Sequence, residues 1–231
     1  MSIEIIGFAA GPLQTNCYLV TGVAADPEAG AGAPARPCIV IDPGMGAAAR
    51  VRELCAEHGL APEAVLLTHG HIDHTRDSTE VQREHGAPVR INAHDRFMVA
   101  NPVIGAGLNL GAMFNVAAMD PPEDPGDLPD GAELALAGLT VRVSHAPGHS
   151  PGSVMLRVAD GAEEVLFTGD VLFAGSIGRT DLPASDPAAM LASLRDRVLP
   201  LPDGLPILPG HGPGSTIGAE RAGNPFLAQV R

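Results

Sequence analysis

The amino-acid sequence predicts an α/β protein in which two β-sheets pack face to face and helices cover their outer surfaces. Short apolar runs bounded by glycine, proline and polar residues recur in both halves of the 231-residue chain, as expected of buried strands. Segments with helical spacing of apolar residues stand between these runs. Apolar residues make up 45% of the chain, which is enough for a substantial core. Because no linker divides the sequence, we predict one domain over residues 1–231.

The first half of the chain alternates predicted strands and helices. Two N-terminal strands are expected to pair, and the Ala/Gly/Pro-rich stretch from Ala24 to Pro37 is expected to form a flexible hairpin tip. A third strand is followed by a helix over Ala47–His58, for which Gly59 is a suitable stop. The two N-terminal strands are predicted at Ile3–Phe8 and Cys17–Thr21, and the third at Ile39–Ile41. A further strand is predicted at Val89–Ile91, and two further helices at Asp73–His85 and Ala93–Ala100.

The second half begins with the least regular stretch, Asn101–Pro129, which is rich in glycine, asparagine, methionine and proline. Loops this long in a compact domain are often lids or binding loops, and a passive covering segment is the alternative interpretation. Strands then resume, and a final amphipathic helix follows them. These segments are the strands Leu139–Val143, Val154–Val158 and Val165–Phe167 and the helix Pro187–Val198.

Composition and charge exclude several classes of partner. The formal net charge is −13, and all 14 basic residues are arginine. A chain this acidic, with no basic stripe, is poorly matched to a phosphate backbone, so we expect no nucleic-acid partner. No apolar run approaches the length of a membrane span, and the N-terminal residues show no signal-peptide pattern. Cys17, Cys38 and Cys55 are scattered and lack CxxC spacing, which is typical of thiols in a reducing compartment. We therefore predict a cytoplasmic protein that acts on a small molecule.

The most informative segment runs from Thr68 to His74 and reads Thr-His-Gly-His-Ile-Asp-His. It follows the apolar run Ala64–Leu67, so a buried strand is expected to deliver its side chains to the edge of a sheet. Histidine and aspartate together suit Zn²⁺, Fe²⁺ or Mn²⁺. The spacing of the three histidines is not helical, which favours a loop that directs alternate residues to two metal ions.

Three further residues follow other apolar runs in the same way, namely His149, Asp170 and His211. A glycine precedes each of them, and glycines let the backbone turn sharply and approach a site closely. One such residue would be weak support for a metal site. Three repeats of the pattern, added to the first cluster, make a strong signal.

With these residues the chain resembles the metallo-β-lactamase-fold hydrolases. Within that superfamily it looks most like the short, single-domain form of glyoxalase II (hydroxyacylglutathione hydrolase). The resemblance covers nearly the whole chain and implies an αββα sandwich of two mixed sheets. The segments that support it beyond the metal motif are Thr15–Tyr18, Ile41–Gly44, Gly178–Asp181 and Asn224–Leu227.

The resemblance also implies a ligand set for two divalent metal ions, zinc in the first place with iron or manganese as alternatives. It assigns His69, His71 and His149 to one ion and Asp73, His74 and His211 to the other. Asp170 would bridge the two ions, and Asp73 and Asp170 are the residues that we predict as catalytic. Such a pair of ions lowers the pKa of a shared water, and the resulting hydroxide would attack a hydroxyacyl thioester.

Three residues near these ligands keep two interpretations each. Asp42 either orients a metal-bound histidine or only forms a turn. His145 either lies behind the ligands or is a structural histidine. Arg179 is the predicted substrate-binding residue, since its guanidinium could bind a substrate carboxylate, and the alternative is a salt bridge to Asp181.

The leading hypothesis is thus a dinuclear thioester hydrolase of the glyoxalase II type. The alternative is a persulfide dioxygenase of the same fold, which uses one Fe²⁺ held by two histidines and one aspartate. A binding module without activity is disfavoured because all seven ligands are intact. The long form of glyoxalase II grips glutathione through basic residues of a C-terminal extension, whereas this chain ends soon after Asn224–Leu227 and has no lysine. The thiol carrier therefore stays open.

Overall fold

A computed structural model describes residues 3–24, 34–101, 103, 110–116, 119–161 and 163–231. Within these residues, twelve strands form two sheets of six strands each. Most of the predicted hairpin tip, residues 25–33, lies outside the described part of the chain, as do several residues of the Asn101–Pro129 stretch. None of the described helices is both long and apolar enough to cross a membrane.

The first sheet contains the N-terminal strands in chain order. The second strand runs antiparallel to the first and to the third. From the third strand to the sixth, neighbouring strands are parallel. These strands are β1 (Glu4–Ala10), β2 (Thr15–Thr21), β3 (Arg36–Ile41), β4 (Leu60–Leu66), β5 (Val89–Ile91) and β6 (Gly126–Asp127).

The second sheet contains the C-terminal strands, again in chain order. All of its neighbouring pairs are antiparallel except β10 and β11, which are parallel. Its members are β7 (Glu133–Leu136), β8 (Leu139–His145), β9 (Val154–Ala159), β10 (Glu164–Gly169), β11 (Pro206–Pro209) and β12 (Ser215–Thr216). Both sheets are therefore mixed.

The helices lie on the outer faces of the two sheets. In chain order they are α1 (Ala47–His58), α2 (Ile72–Thr75), α3 (Ser78–His85), a 3₁₀ turn (Ala93–Asp95), α4 (Arg96–Ala100), α5 (Leu110–Met113), α6 (Pro187–Ser193), which continues as a π-helical segment (Leu194–Val198), α7 (Ile217–Gly223) and α8 (Pro225–Ala228).

Apolar side chains point to both faces of each sheet, so each sheet packs on the other sheet with one face and on helices with the opposite face. Val20 and Ile39 of the first sheet pack against Val141 and Phe167 of the second sheet, in a cluster between the two sheets. The side chains that alternate with these point outward, because successive residues of a strand face opposite sides of its sheet. Val40 thus contacts a cluster that includes residues of α1 and α3, and the second sheet packs in the same way on α6. The predicted αββα arrangement of two mixed sheets is confirmed.

One predicted helix is divided in two. The sequence predicts a helix from Asp73 to His85, but the structure contains α2 and α3 with a break at Arg76 and Asp77. The backbone N–H of Asp77 donates to the carbonyl of Pro43, and its carboxylate accepts a hydrogen bond from the N–H of Ala48 at 3.2 Å. These contacts with the start of α1 replace the helical continuation.

Candidate metal centre

Seven side chains that the sequence predicts as ligands meet at one edge of the sandwich. They follow β4, β8, β10 and β11, and five of them lie in loops. Asp73 and His74 lie on the short helix α2 instead, so the loop expected for this cluster is helical in part. Because β8, β10 and β11 run in the same direction, their carboxyl ends meet at one edge of the second sheet. The seven residues are His69, His71, Asp73, His74, His149, Asp170 and His211.

The first group of potential ligands contains His69, His71 and His149. One ring nitrogen from each of the three histidines lies within 4.8 Å of the others, and all three residues are buried. Nδ1 of His71 and Nε2 of His149 are 2.8 Å apart. Three ring nitrogens gathered this closely can bind one small cation, which would replace the contact between His71 and His149.

The second group contains Asp73, His74 and His211. Nε2 of His74 lies 3.3 Å from Nε2 of His211, and the latter nitrogen lies 3.2 Å from Oδ2 of Asp73. Each of the three residues again offers one atom within 4.8 Å of the others. These two groups contain the residues of the two predicted sets, and a third group joins Asp42 with His69 and His74, one residue from each set.

Asp170 stands between the two groups. Its Oδ2 is 3.4 Å from Nε2 of His149 in the first group and 3.7 Å from Nε2 of His211 in the second. Its Oδ1 is 3.4 Å from Nε2 of His74, also in the second group. A buried carboxylate in this position can offer an oxygen to each of two cations.

Backbone carbonyls fix the orientation of two histidine rings. Nδ1 of His149 donates to the carbonyl of Arg179 at 2.8 Å, and Nδ1 of His211 donates to the carbonyl of Leu13 at 3.1 Å. Both rings thus carry a proton on Nδ1, and Nε2 is the atom directed at the centre. Outer hydrogen bonds of this kind commonly orient metal-binding histidines.

The carboxylate of Asp42 orients two more histidines. Its Oδ2 accepts hydrogen bonds from Nδ1 of His74 at 2.9 Å and from the Thr68 hydroxyl at 2.6 Å. That hydroxyl oxygen lies 3.1 Å from Nδ1 of His69 and accepts from it. Asp42 also has a left-handed backbone, with φ of 51°, at the turn after β3. Both interpretations of Asp42 therefore hold, since it forms the turn and supports the histidines.

Asp95 joins the loops that carry the first group, and sequence reasoning missed it. Its buried carboxylate accepts hydrogen bonds from the Gly70 N–H at 2.8 Å, the Ser150 hydroxyl at 2.5 Å and the Gly152 N–H at 2.5 Å. These contacts hold the segment of His69 and His71 against the segment of His149. No metal-like pattern surrounds Asp95 in the sequence, so only the fold reveals it.

The start of β2 holds the segment that carries His211. Asn16 donates from its side-chain amide to the carbonyls of Pro209 and Gly212 at 3.0 and 2.9 Å, and the Tyr18 hydroxyl donates to the same Pro209 carbonyl at 2.7 Å. The Thr15 hydroxyl donates to Oδ2 of Asp73 at 3.0 Å. The Thr15–Tyr18 segment therefore holds Asp73 and the loop of His211 in place through these hydrogen bonds.

Two glycines are required by the close approach of the ligand loops. A side-chain carbon at Gly210 would collide with Oδ1 of Asp170 and with the ring of His74. One at Gly178 would collide with the carbonyl of Asp170 and approach Nδ1 of His149. Any larger residue at either position would displace the ligands themselves.

Electrostatics prepares the first group to bind a cation. Burial, helped by neighbouring histidines, lowers the pKa of His71 to about 3 and holds that of His69 well below its usual range. Burial likewise lowers the pKa of His149 to about 4. All three imidazoles are therefore neutral at pH 7, which is the form that binds a metal.

The second group is richer in charge. Burial opposes protonation of His74, but the carboxylates of Asp73, Asp170 and Asp42 outweigh it and raise the pKa of His74 to about 10. Burial raises the pKa of Asp170, although the neighbouring histidines oppose this shift. The carboxylates that stabilise the protonated ring of His74 would stabilise a metal cation at the same place.

The donor atoms fit a pair of divalent metal ions. Nε2 of His69 and Oδ1 of Asp170 are buried and have no hydrogen-bond partner among the described residues. Polar atoms seldom stay unpaired in a protein interior, so these two atoms are suited to bind an ion or a water. Mixed imidazole and carboxylate ligands suit zinc, iron or manganese.

A cavity of about 370 Å³ opens directly onto these residues. Its other lining residues are mainly apolar, namely Leu13, Ile72, Leu110, Phe173, Ile177 and Leu182. A depression of about 420 Å³ between α1 and α3 is lined by charged residues instead. There Arg52 pairs with Glu84, and Arg83 pairs with Asp120, so the depression has the character of a solvated surface.

Arg179 and His145 occupy different surroundings. Arg179 lines the cavity, but its exposed guanidinium donates two hydrogen bonds to Asp181, at 2.8 and 2.9 Å. The alternative of a salt bridge to Asp181 is therefore the arrangement observed, and substrate binding by Arg179 stays a prediction. Nε2 of His145 donates to the carbonyl of Pro151 at 2.8 Å, and its ring stacks on His94. His145 is thus a structural histidine.

Comparison with known protein sequences gives relatives over nearly the whole chain. A sequence model described as the Metallo-beta-lactamase superfamily matches residues 10–211. An uncharacterised protein of Mycobacterium tuberculosis is 40% identical over 96% of this chain and 97% of its own length. The hydroxyacylglutathione hydrolase GloC of Haemophilus influenzae is 36% identical over 98% of each chain.

Solved structures of similar proteins have the same fold. The B3 metallo-beta-lactamase BLEG-1 matches with a TM-score of 0.79 and 35% identity, over 97% of this chain and 99% of its own. The protein TTHA1623, solved in a di-iron-bound form, matches with a TM-score of 0.77 and 38% identity, over 96% of this chain and 100% of its own.

Proposed function

The chain belongs to the metallo-beta-lactamase superfamily, and we propose that it hydrolyses a hydroxyacyl thioester of a small thiol with the help of two divalent metal ions. The position of Asp170 carries this proposal, since its two oxygens face both groups of potential ligands. The similarity to a hydroxyacylglutathione hydrolase supports a thioester as the substrate. Zinc is the metal that we propose first, and the di-iron form of TTHA1623 keeps iron as an alternative.

The proposal assigns each ligand to a metal ion. His69, His71 and His149 would hold one ion, and Asp73, His74 and His211 would hold the other. Asp170 would bind both ions, so Asp73 and Asp170 are the proposed catalytic carboxylates. When bound, the ions would lower the pKa of a shared water and polarise the substrate carbonyl.

The protein residues would orient the ligands and the substrate. Asp42 holds the rings of His74 and, through Thr68, of His69 in fixed orientations. The Thr15 hydroxyl holds Oδ2 of Asp73. In the overall reaction one water adds to the thioester carbonyl and the C–S bond breaks, which gives a hydroxy acid and a thiol. A thiolate leaves readily, so the reaction needs no further general acid among the residues of the cavity.

The similarity to a hydroxyacylglutathione hydrolase favours a hydrolase over the mononuclear iron dioxygenase. Elemental analysis of protein purified without oxygen, combined with assays of thioester cleavage and of persulfide-dependent oxygen uptake, tests the proposal. We expect two metal ions per chain and thioester cleavage. One iron per chain with persulfide-dependent oxygen uptake would overturn it. The cytoplasmic location stays a prediction, with which the three free, buried cysteines agree.

A further inference from the structure

The walls of the cavity indicate what kind of substrate fits beside the ligands. Apolar side chains reach the cavity from three separate segments, the turn before β2, helix α5 and the loop after Asp170. Leu13 is 42% exposed, and Phe173, Ile177 and Leu182 are half-buried. Exposed apolar side chains that converge on one cavity are typical of a ligand-binding surface.

The same cavity has little positive charge to offer a carboxylate. Arg179 is the one arginine among the described lining residues, and its Nε and Nη2 donate to Asp181. That aspartate offsets the charge of Arg179 and occupies the edge of the guanidinium that could bind a carboxylate through Nε and Nη2. Helix α5, which reaches the cavity through Leu110, contains no charged residue, and the whole chain contains no lysine.

We propose that the part of the substrate next to the scissile thioester is uncharged and largely apolar, in contrast to the two carboxylates of glutathione. This inference rests on the proposed thioester hydrolysis at the same site. The apolar part could belong to the acyl group or to the thiol carrier. In either case the apolar part would be buried against Phe173, Ile177 and Leu182. No unpaired carboxylate would then be placed among these apolar side chains.

Three thioesters separate these possibilities with the metal-loaded enzyme. Lactoylglutathione has a charged thiol, the lactoyl thioester of N-acetylcysteamine has an uncharged thiol, and the hexanoyl thioester of N-acetylcysteamine adds an apolar acyl group. We expect kcat/KM for the lactoyl thioester of N-acetylcysteamine to exceed that for lactoylglutathione by about ten-fold or more, the lower range for a well-placed apolar contact. A further rise with the hexanoyl group would assign the apolar wall to the acyl side, and no rise would assign it to the thiol side.

The outcomes distinguish this inference from the proposed function. If lactoylglutathione is cleaved with a kcat/KM equal to or above that of its uncharged analogue, the inference is wrong and the proposed function stands. If none of the three thioesters is cleaved, the proposed function fails and the inference fails with it.

A pair of phenylalanine variants tests the apolar wall itself. Phe173 lines the cavity, whereas Phe97 is exposed on α4 and does not line it. We expect Phe173→Ala to lower kcat/KM for the preferred uncharged thioester by about ten-fold, and Phe97→Ala to change it little. Metal content measured on both variants reports whether the centre is intact. Equal effects of the two substitutions on kcat/KM would contradict binding by the wall.

Discussion

Oδ2 of Asp42 accepts a hydrogen bond from Nδ1 of His74 at 2.9 Å, so a carboxylate outside the seven-residue centre orients a ring within it. The same oxygen accepts a hydrogen bond from Thr68, which in turn accepts one from His69. His69 belongs to the first group and His74 to the second. One aspartate therefore supports both groups at once.

We expect Asp42→Asn to weaken metal binding by about 10- to 100-fold, the usual effect of losing such an outer contact. Asparagine tolerates the left-handed backbone that Asp42 adopts, so the turn should persist. The side-chain amide of asparagine has one oxygen that accepts hydrogen bonds, whereas both carboxylate oxygens of Asp42 accept them. Titration of zinc against a competing chelator measures the change.

Asp124→Asn is the matched control for this substitution, because Asp124 has a φ of 43° and is exposed. It should leave metal affinity unchanged. A wild-type affinity in Asp42→Asn would show that the hydrogen bonds of Asp42 contribute to the turn alone.

A second prediction concerns the contact between the two loops of the first group. Asp95→Asn should lower the free energy of unfolding of the metal-free protein by roughly 2–4 kcal/mol, since it disrupts buried hydrogen bonds to a charged acceptor. Ser150→Ala removes only one of these bonds and should cost less. Urea denaturation of both variants tests the order, and a larger loss in Ser150→Ala would contradict it.

Asp170 should matter more to metal retention than any single histidine. Asp170→Ala removes the one proposed ligand that both ions share, so the two cations would face each other without an anion between them. We expect less metal per chain after dialysis than in His149→Ala. Retention of two ions per chain by Asp170→Ala would falsify the bridging role.

Zinc uptake at pH 7 should release protons. The carboxylates of Asp73, Asp170 and Asp42 outweigh burial and raise the pKa of His74 to about 10, so its imidazole is protonated at pH 7 in the metal-free protein. Binding to a cation requires the neutral form and displaces this proton. Above about pH 10 that proton is already lost, so the part of the release that comes from His74 should disappear. Calorimetry in two buffers of different ionisation enthalpy measures it at pH 7, and equal heats in both buffers would contradict the prediction.

Local sequence patterns predicted much of the fold, and the residues that they single out as candidate ligands lie together in the structure. Helix α1 spans the predicted Ala47–His58, since Gly59 with its left-handed backbone ends it. The ligands could be predicted because each follows a short apolar strand, and parallel strands bring their ends together. The break between α2 and α3 could not, because it depends on contacts of Asp77 with Pro43 and Ala48.

The residues that support the centre were harder to predict from sequence. Asp95 is 25 residues from Gly70 and 55 from Ser150, so no local pattern connects them. The pairing of Arg179 with Asp181 was one of two open alternatives, because proximity in sequence does not decide which acid an exposed guanidinium pairs with. The apolar walls of the cavity come from separate segments and appear only in the fold.

The central claim is that two metal ions act together, and His211 tests it most directly. The measurement is metal content per chain of the wild type and of His211→Ala after dialysis, with thioester hydrolysis assayed on the same samples. His211 lies only in the second group, so we expect the wild type to hold two ions and His211→Ala to lose one ion and most of the hydrolysis. A folded His211→Ala protein with the metal content and activity of the wild type would contradict the dinuclear account.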